Sequence, residues 1–262
     1  MLDALVRRYR YAGVRGLSQA VARRLLPPSF RRHVTDQPLE PVLRRLKRQS
    51  TFTIVQIGAY VGDSDNDPLA RFLRSELPTH RGSTVVLVEP IKRYFDQLRA
   101  NYDGLPGAIF ENVAIAETSG ERTFYYLNAD PVTHGFPEWL TQLSSLRADR
   151  MTTLWNAFEA DKAMQDFYLA HRAEVRVQCV TLQDLLIKHR IAGIDLLQID
   201  AEGYDYEILK SIDVQRVRPR FINFEHALLS ETERAACNAM LVAAGYIVHN
   251  SCTADTLCER RR

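Results

Sequence analysis

The chain opens on a stretch, residues 2–26, in which Leu2, Leu5, Val6, Tyr9, Val14, Leu17, Val21 and Leu25 recur at helical spacing among six arginines. Pro27 and Pro28 end that pattern, and a second helical stretch over residues 41–49 leads toward the first core strand. From Thr53 onward short apolar runs alternate with helical patterns. Strands are predicted at 54–57, 85–88 and 108–116, with helices over 68–76 and 91–102 between them. Segment 121–128, ERTFYYLN, reads as an added strand, and residues 130–174 depart from the alternation altogether. The rhythm returns with strand 175–180, helix 182–189, strand 195–200, helix 204–211, strand 221–225 and helix 231–244, then a hairpin of YIVHN and DTLCER. Such alternation predicts a doubly wound α/β sheet.

With 46% hydrophobic and 25% charged residues, the 262-residue chain has ordinary globular composition and room for one large α/β domain plus added segments. We divide it into a basic helical extension, residues 1–50, and a main domain, residues 51–262. The insertion near 130–174 is read as a lid or substrate-recognition element, since structured excursions of that length usually bind something. The longest apolar runs, such as VVLV at 85–88, fall far short of the ~20 residues that cross a bilayer. The N-terminus lacks the apolar core and cleavage site of a secretory signal, so a cytoplasmic protein is expected.

Net charge is +2, but residues 1–48 carry twelve Arg or Lys against three acids, a net of +9, which leaves −7 for the rest. We read this basic stretch as a helix packed on the protein or on a second copy in a homodimer, with peripheral membrane contact as the alternative. Cys179, Cys237, Cys252 and Cys258 show neither CxxC spacing nor histidine partners, so buried reduced thiols are expected rather than disulfides or zinc.

Three predicted strand ends carry the chemistry. IVQIGAYVGD at 54–63 supplies a glycine turn, VVLVEP at 85–90 ends in an acid, and LLQIDAEGYDYEIL at 196–209 runs from an apolar strand into carboxylates. In an open parallel sheet, ligands bind beyond the carboxyl ends of the strands. Gly58 and Gly62 let the backbone turn tightly and approach a ligand, and Glu89 is placed to accept hydrogen bonds from two ribose hydroxyls. A nucleoside cofactor is implied. A dehydrogenase satisfies the same logic, but the third glycine of the dinucleotide fingerprint is missing. Asp63, Asp65 and Asp67 also crowd the helix N-terminus where a pyrophosphate would sit, which favours a cationic ligand.

The segments IVQIGAYVGD, VVLVEP, ENVAI, LLQIDAEGYDYEILK and INFEH, in this order and spacing, resemble the FkbM-like S-adenosylmethionine-dependent methyltransferases over about residues 51–260. The resemblance implies a Rossmann-like class I methyltransferase fold, α/β, with a seven-stranded, mostly parallel sheet and an antiparallel final strand at 255–260. It also implies S-adenosyl-L-methionine as cofactor and methyl transfer to oxygen, often on a sugar or natural-product hydroxyl. Carried over by motif, Gly58, Ala59 and Gly62 line the methionine side of the cofactor, Glu89 and Pro90 lie at the ribose, and Asn112, Val113 and Ala114 flank the adenine. Asp200 and Glu202 face the methyl group. Two positions depart from the broader motif: Gln56 stands where many methyltransferases have an acid, and Tyr60 where a glycine is common.

A sugar hydroxyl is a poor nucleophile at neutral pH, so a base is expected among Asp200, Glu202, Glu225 and His226, of which His226 has the most suitable unperturbed pKa. Alternatively Asp200 with Glu225 binds Mg2+, which would acidify the hydroxyl. In the insertion, Ser144 and Ser145 are the candidates for gripping the acceptor, a small molecule or glycan. Two other functions compete. One is an RNA methyltransferase whose basic arm grips phosphates, weakened by the scarcity of stacking aromatics there. The other is a non-catalytic cofactor-binding protein.

Overall fold

The computed structural model describes residues 39–63, 68–148, 162–249 and 254–261. The predicted helix over 2–26, Asp65, Asp67 and Cys252 lie outside the described residues. In chain order the elements are α1 (Leu39–Leu46), β1 (Thr53–Ile57), α2 (Pro68–Glu76), β2 (Thr84–Val88), α3 (Lys92–Asn101), β3 (Ala108–Glu111), β4 (Ala114–Ile115) and β5 (Gly120–Leu127). They continue with α4 (Lys162–His171), β6 (Arg172–Val180), α5 (Leu182–Lys188), β7 (Leu196–Ile199), α6 (Asp205–Ser211), α7 (Val214–Val217), β8 (Phe221–Glu225), α8 (Glu231–Ala243), β9 (Tyr246–His249) and β10 (Asp255–Arg260). By contact these fall into a larger unit, residues 39–123 and 176–261, and a smaller one, residues 124–175.

The larger unit is built on a seven-stranded sheet of order β3-β2-β1-β7-β8-β10-β9. Pairs from β3 to β8 are parallel, and β10 runs antiparallel between β8 and β9. The antiparallel strand is thus the final one in sequence, as expected, but it lies inside the sheet and β9 forms the edge. Strand order reverses between β1 and β7. That switch point is where an open α/β sheet leaves a crevice at its carboxyl end.

The central strands are buried at consecutive positions, on both faces of the sheet. Ile54, Val85, Leu87, Leu196, Phe221 and Leu257 share one cluster with Leu39, Val42, Leu43 and Leu46 of α1 and with Leu69, Phe72 and Leu73 of α2. α1 therefore belongs to the core of the main domain, and the boundary drawn at residue 50 from the charge pattern is too late. The amphipathic period of 39–46 was the better guide. Asn112 divides the predicted strand 108–116 into β3, which pairs with β2, and β4, which pairs with β6 through Ala114↔Cys179 and Ile115↔Val180. Cys179, Cys237 and Cys258 are buried free thiols.

The smaller unit has its own core. Tyr168 is wholly buried and donates its hydroxyl to the Leu143 carbonyl at 2.9 Å. Phe167 stacks on Phe136 and His171, and an isolated bridge joins Tyr125 to Ser145. The described parts of the insertion, residues 130–148 and 162–174, are held by these contacts and include two 3-10 turns, Val132–His134 and Glu138–Gln142. Among the described residues no helix is long and apolar enough to cross a membrane.

If α1 is core, emptying its contact should unfold the main domain cooperatively. Leu46→Ala is expected to cost about 2–5 kcal/mol in denaturant titration, the range for fully buried leucine. A cost below ~0.5 kcal/mol would return α1 to the status of an appended arm.

Candidate active site

At the switch point the exits of β1 and β7 touch. Gly58 adopts φ +80°, and a Cβ there would fall 1.8 Å from the Asp200 carbonyl oxygen. Gly62, at φ +64°, would likewise drive a Cβ to 2.2 Å from the Tyr102 ring and 2.6 Å from Leu98 on α3. Both glycines are thus demanded by the protein's own packing. The expected reason, closeness to a ligand, is not needed to explain them. Between them Tyr60 also takes positive φ, +48°, a conformation that costs a side chain ~1–2 kcal/mol. Its ring packs against Tyr94 at 4.6 Å between centroids, which shows how a tyrosine is held where the broader motif has glycine.

Glu89 closes β2. Its Oε2 accepts the Tyr60 N–H at 3.0 Å and its Oε1 accepts the Ile91 N–H at 2.8 Å. The carboxyl is therefore fixed to the glycine turn, while each oxygen keeps a second lone pair for another donor. Burial raises its pKa to about 7, against the pull of the two backbone donors. Asn112 does not offer its amide outward as a free group: Nδ2 donates to the carbonyls of Glu89 (2.9 Å) and Pro90 (3.0 Å), stapling the exit of β3 to that of β2. Val113 is half-buried and Ala114 buried in β4. Glu111, one residue before Asn112, is held by Lys188 and His189, so His189 has a partner that its sequence surroundings concealed.

On the face carrying Gly58, register puts Gln56, Gln198 and Asn223 in one row across β1, β7 and β8. All three are buried, and Asn223 donates Nδ2 to Gln198 Oε1 at 3.0 Å. Two residues further along each strand come Gly58, Asp200 and Glu225. The face therefore grades from apolar (Ile54, Leu196, Phe221) through amide to carboxylate as it nears the crevice.

The carboxylate cluster is organised by Asp205, the first residue of α6. Asp205 is fully buried, and it accepts the N–H groups of Ala201 and Gly203, both at 3.3 Å, and of Glu225 at 3.2 Å. It locks the loop after β7 to the end of β8. Burial lifts its pKa to about 7, opposed by those same backbone donors. Glu202 sits in this loop at φ +50°. Burial, then the carboxylates of Asp200 and Asp205, push its pKa well up. Glu225 is raised well above the ordinary range by burial, then by Asp200, Glu202, Asp205 and Asp255. Its Oε2 is buried without a hydrogen-bond partner.

Several expectations are redirected. His226 is buried on the opposite side of the strand, its Nδ1 2.9 Å from Thr256 Oγ1 and its backbone N–H on the Ala254 carbonyl. Burial lowers its pKa to about 4, so it serves as a tie between β8 and β10. No three acid, histidine or cysteine side chains among the described residues are grouped to hold a metal ion. Asp200 and Glu225, the two carboxylates expected to hold Mg2+, follow the paired residues Ile199 and Phe224 at the ends of β7 and β8. Ser144 and Ser145 lie in the smaller unit with their hydroxyls in local backbone contacts, to Gln142 and Arg147. Asp63 pairs with Arg74 at 2.6 Å, so its charge before α2 is largely compensated.

Two measurements follow from this geometry. Gly58→Ala combines a positive-φ penalty with a backbone clash and should destabilise by about 2–5 kcal/mol, seen as a lower Tm; an unchanged Tm would disprove the close packing of β1 on β7. In the ligand-free protein, Glu89 and Asp205 hold protons to about pH 7, whereas the unfolded chain releases them near 4 to 4.5. The folded state therefore binds more protons than the unfolded one, and stability falls as pH rises through 7. Between pH 8 and 7, where His226 is largely neutral in both states, lowering the pH should stabilise by roughly 0.4 kcal/mol per group. Asp205→Asn and Glu89→Gln should each flatten that slope.

Residues 56–248 match the model of the methyltransferase FkbM domain. No curated protein matches the chain in sequence. Among solved structures, methyltransferase FkbM from Methylobacillus flagellatus KT aligns with 80% of this chain and 44% of its own at 10% identity and TM-score 0.45. This chain thus spans under half the length of that relative. Precorrin-6y C5,15-methyltransferase from Geobacter metallireducens GS-15 aligns at 11% identity and TM-score 0.41, covering 87% of this chain and 92% of its own. Human methyltransferase 10 domain containing protein aligns at 12% and 0.41, covering 99% and 94%. With the family model spanning most of the chain and the seven-stranded sheet built around its motifs, this protein belongs to the FkbM methyltransferase family, whose methyl donor is S-adenosyl-L-methionine.

Proposed function

We propose that the protein is an O-methyltransferase acting on a hydroxyl of a sugar, glycan precursor or natural product. The observation that carries this reading is Glu225. Its Oε2 is buried and unpartnered, and neighbouring carboxylates raise its proton affinity. Leaving a buried acceptor without a partner costs ~1–3 kcal/mol, a cost that a donor on a ligand would offset. A hydroxyl must lose its proton as it is alkylated, and a carboxyl whose proton affinity is raised by burial and neighbouring carboxylates is the better acceptor for it.

The residues of the crevice suit the family's cofactor. Glu89, anchored by Tyr60 and Ile91, has lone pairs left for two ribose hydroxyls. The turn from Gly58 to Gly62 and the loop stapled by Asn112 bound the crevice on either side of it. When bound, S-adenosyl-L-methionine supplies an electrophilic methyl group on a sulfonium centre. Asp200 gives the crevice the negative potential that a sulfonium favours. Glu225 receives the hydroxyl proton at Oε2, and Asp205 positions it through its backbone N–H. Much of the rate comes from holding the acceptor oxygen in line.

The test is turnover with hydroxylated acceptors, read as S-adenosylhomocysteine formed, beside calorimetric binding of S-adenosylhomocysteine. Glu225→Gln should lower kcat by ~10²–10⁴ with cofactor affinity unchanged. Glu89→Ala should weaken cofactor binding by about tenfold or more. Full activity in the Glu225 variant, or methylation of amine acceptors alone, would overturn the assignment. Cofactor binding with no turnover on any hydroxylated class would favour a non-catalytic role.

A further inference from the structure

We propose that the end of the main domain opposite the crevice is a docking surface for anionic phospholipid membranes. At the amino ends of the strands, the α5–β7 connection, α7, the turn after α8 and the end of β10 form one continuous surface. Arg190 and Arg216 line a groove of about 290 Å³ together with Leu186, Ile187, Ile191 and Val217. Gln215 donates to the Ala244 carbonyl, which joins α7 to the end of α8. Arg261 N–H bonds the Gly245 carbonyl, and Arg260 reaches the Arg218 carbonyl at 2.7 Å.

Two features set this surface apart. Arg190, Arg216, Arg218 and Arg261 are exposed, and none has a carboxylate partner among the described residues. The nearby acids are occupied: Asp213 caps α7 through the N–H groups of Gln215 and Arg216, and Glu259 pairs with Arg45. In addition, the exposed large hydrophobics described in the larger unit are Ile187 (62%), Val242 (50%) and Ile247 (44%): Ile187 lines the groove with Arg190, and Val242 and Ile247 flank Gly245, whose carbonyl accepts the Arg261 N–H. Guanidinium groups interleaved with aliphatic side chains match the two layers of a membrane interface, lipid phosphate and the start of the acyl region. Binding to single-stranded nucleic acid would call for exposed aromatics to stack on bases, and none of these residues is aromatic.

The arginines lie at the end of the sheet opposite the carboxyl cluster of Asp200, Glu202, Asp205, Glu225 and Asp255, one strand length, ~17 Å, away. An anionic surface attracts the arginine end. Docked this way, the protein turns its crevice toward water, so the acceptor hydroxyl is presented from the aqueous side.

The test is co-sedimentation of the full-length protein with neutral phosphatidylcholine vesicles and with vesicles holding ~30% phosphatidylserine, at about 0.1 M salt. Binding is expected only to the anionic vesicles and should be lost near 0.5 M salt. Reversing R190E/R216E/R261E should reduce it at least tenfold with Tm preserved, and the single variant Ile247→Asn, which leaves every charge in place, should also weaken it. Reversing R7E/R8E/R10E in the N-terminal stretch should leave most of the binding. Equal binding to neutral vesicles, no effect of the 190/216/261 reversal, or complete loss on the N-terminal reversal alone would overturn the proposal. So would displacement from vesicles by an equimolar RNA oligonucleotide.

Discussion

The contact on which the site depends is the approach of β1 to β7 at Gly58, where the Asp200 carbonyl occupies the space of a missing side chain. Hydrogen bonds reinforce it on both sides: Asp200 N–H to Ile57, and the N–H groups of Gly58 and Ala59 to Val88. Because the three strand exits are bound to one another, the groups they carry have fixed spacing. Glu89 then fastens the glycine turn from one side, and Asp205 fastens the loop after β7 to β8 from the other. A catalytic crevice needs this kind of support, since misplacement by about 1 Å is enough to slow a reaction strongly.

Electrostatics acts on the same framework. Several carboxyls are drawn together out of water, which raises the proton affinity of Glu89, Glu202, Asp205 and Glu225. Such crowding works against stability at neutral pH, and the protein tolerates it where burial is enforced by core strands. The cost is localised at the end of the sheet that the family uses for chemistry. At the other end the uncompensated charges are positive and exposed, where water screens them and little strain is stored. One mostly parallel sheet therefore separates a cluster of carboxyls with raised proton affinity from an exposed basic end.

Much of this was legible in the chain. The apolar runs at 54–57, 85–88 and 221–225 predicted strands, and acids and glycines were legible at their carboxyl ends. The charge pattern misled at 39–48, because the exposed arginines of an amphipathic helix say nothing about the buried face made by Leu39, Val42, Leu43 and Leu46. Asp205 was missed for a related reason. An acid at the start of a helix looks the same whether it faces solvent or accepts three buried N–H groups, and the distinguishing donors come from Ala201, Gly203 and Glu225.

The sequence by itself determined the fold class, the order of the motifs and the placing of Gly58, Glu89 and Asp200 at strand ends, because strand period and strand-end chemistry are local properties. Only the tertiary structure decided what each residue does there. It turned Gly58 and Gly62 into packing requirements, made Asn112 a staple, withdrew His226 to a tie with Thr256, and left Glu225 as the buried carboxyl with an unpartnered oxygen. Proton affinity, hydrogen-bond saturation and exposure depend on neighbours brought from distant strands, and no local pattern records which neighbours those will be.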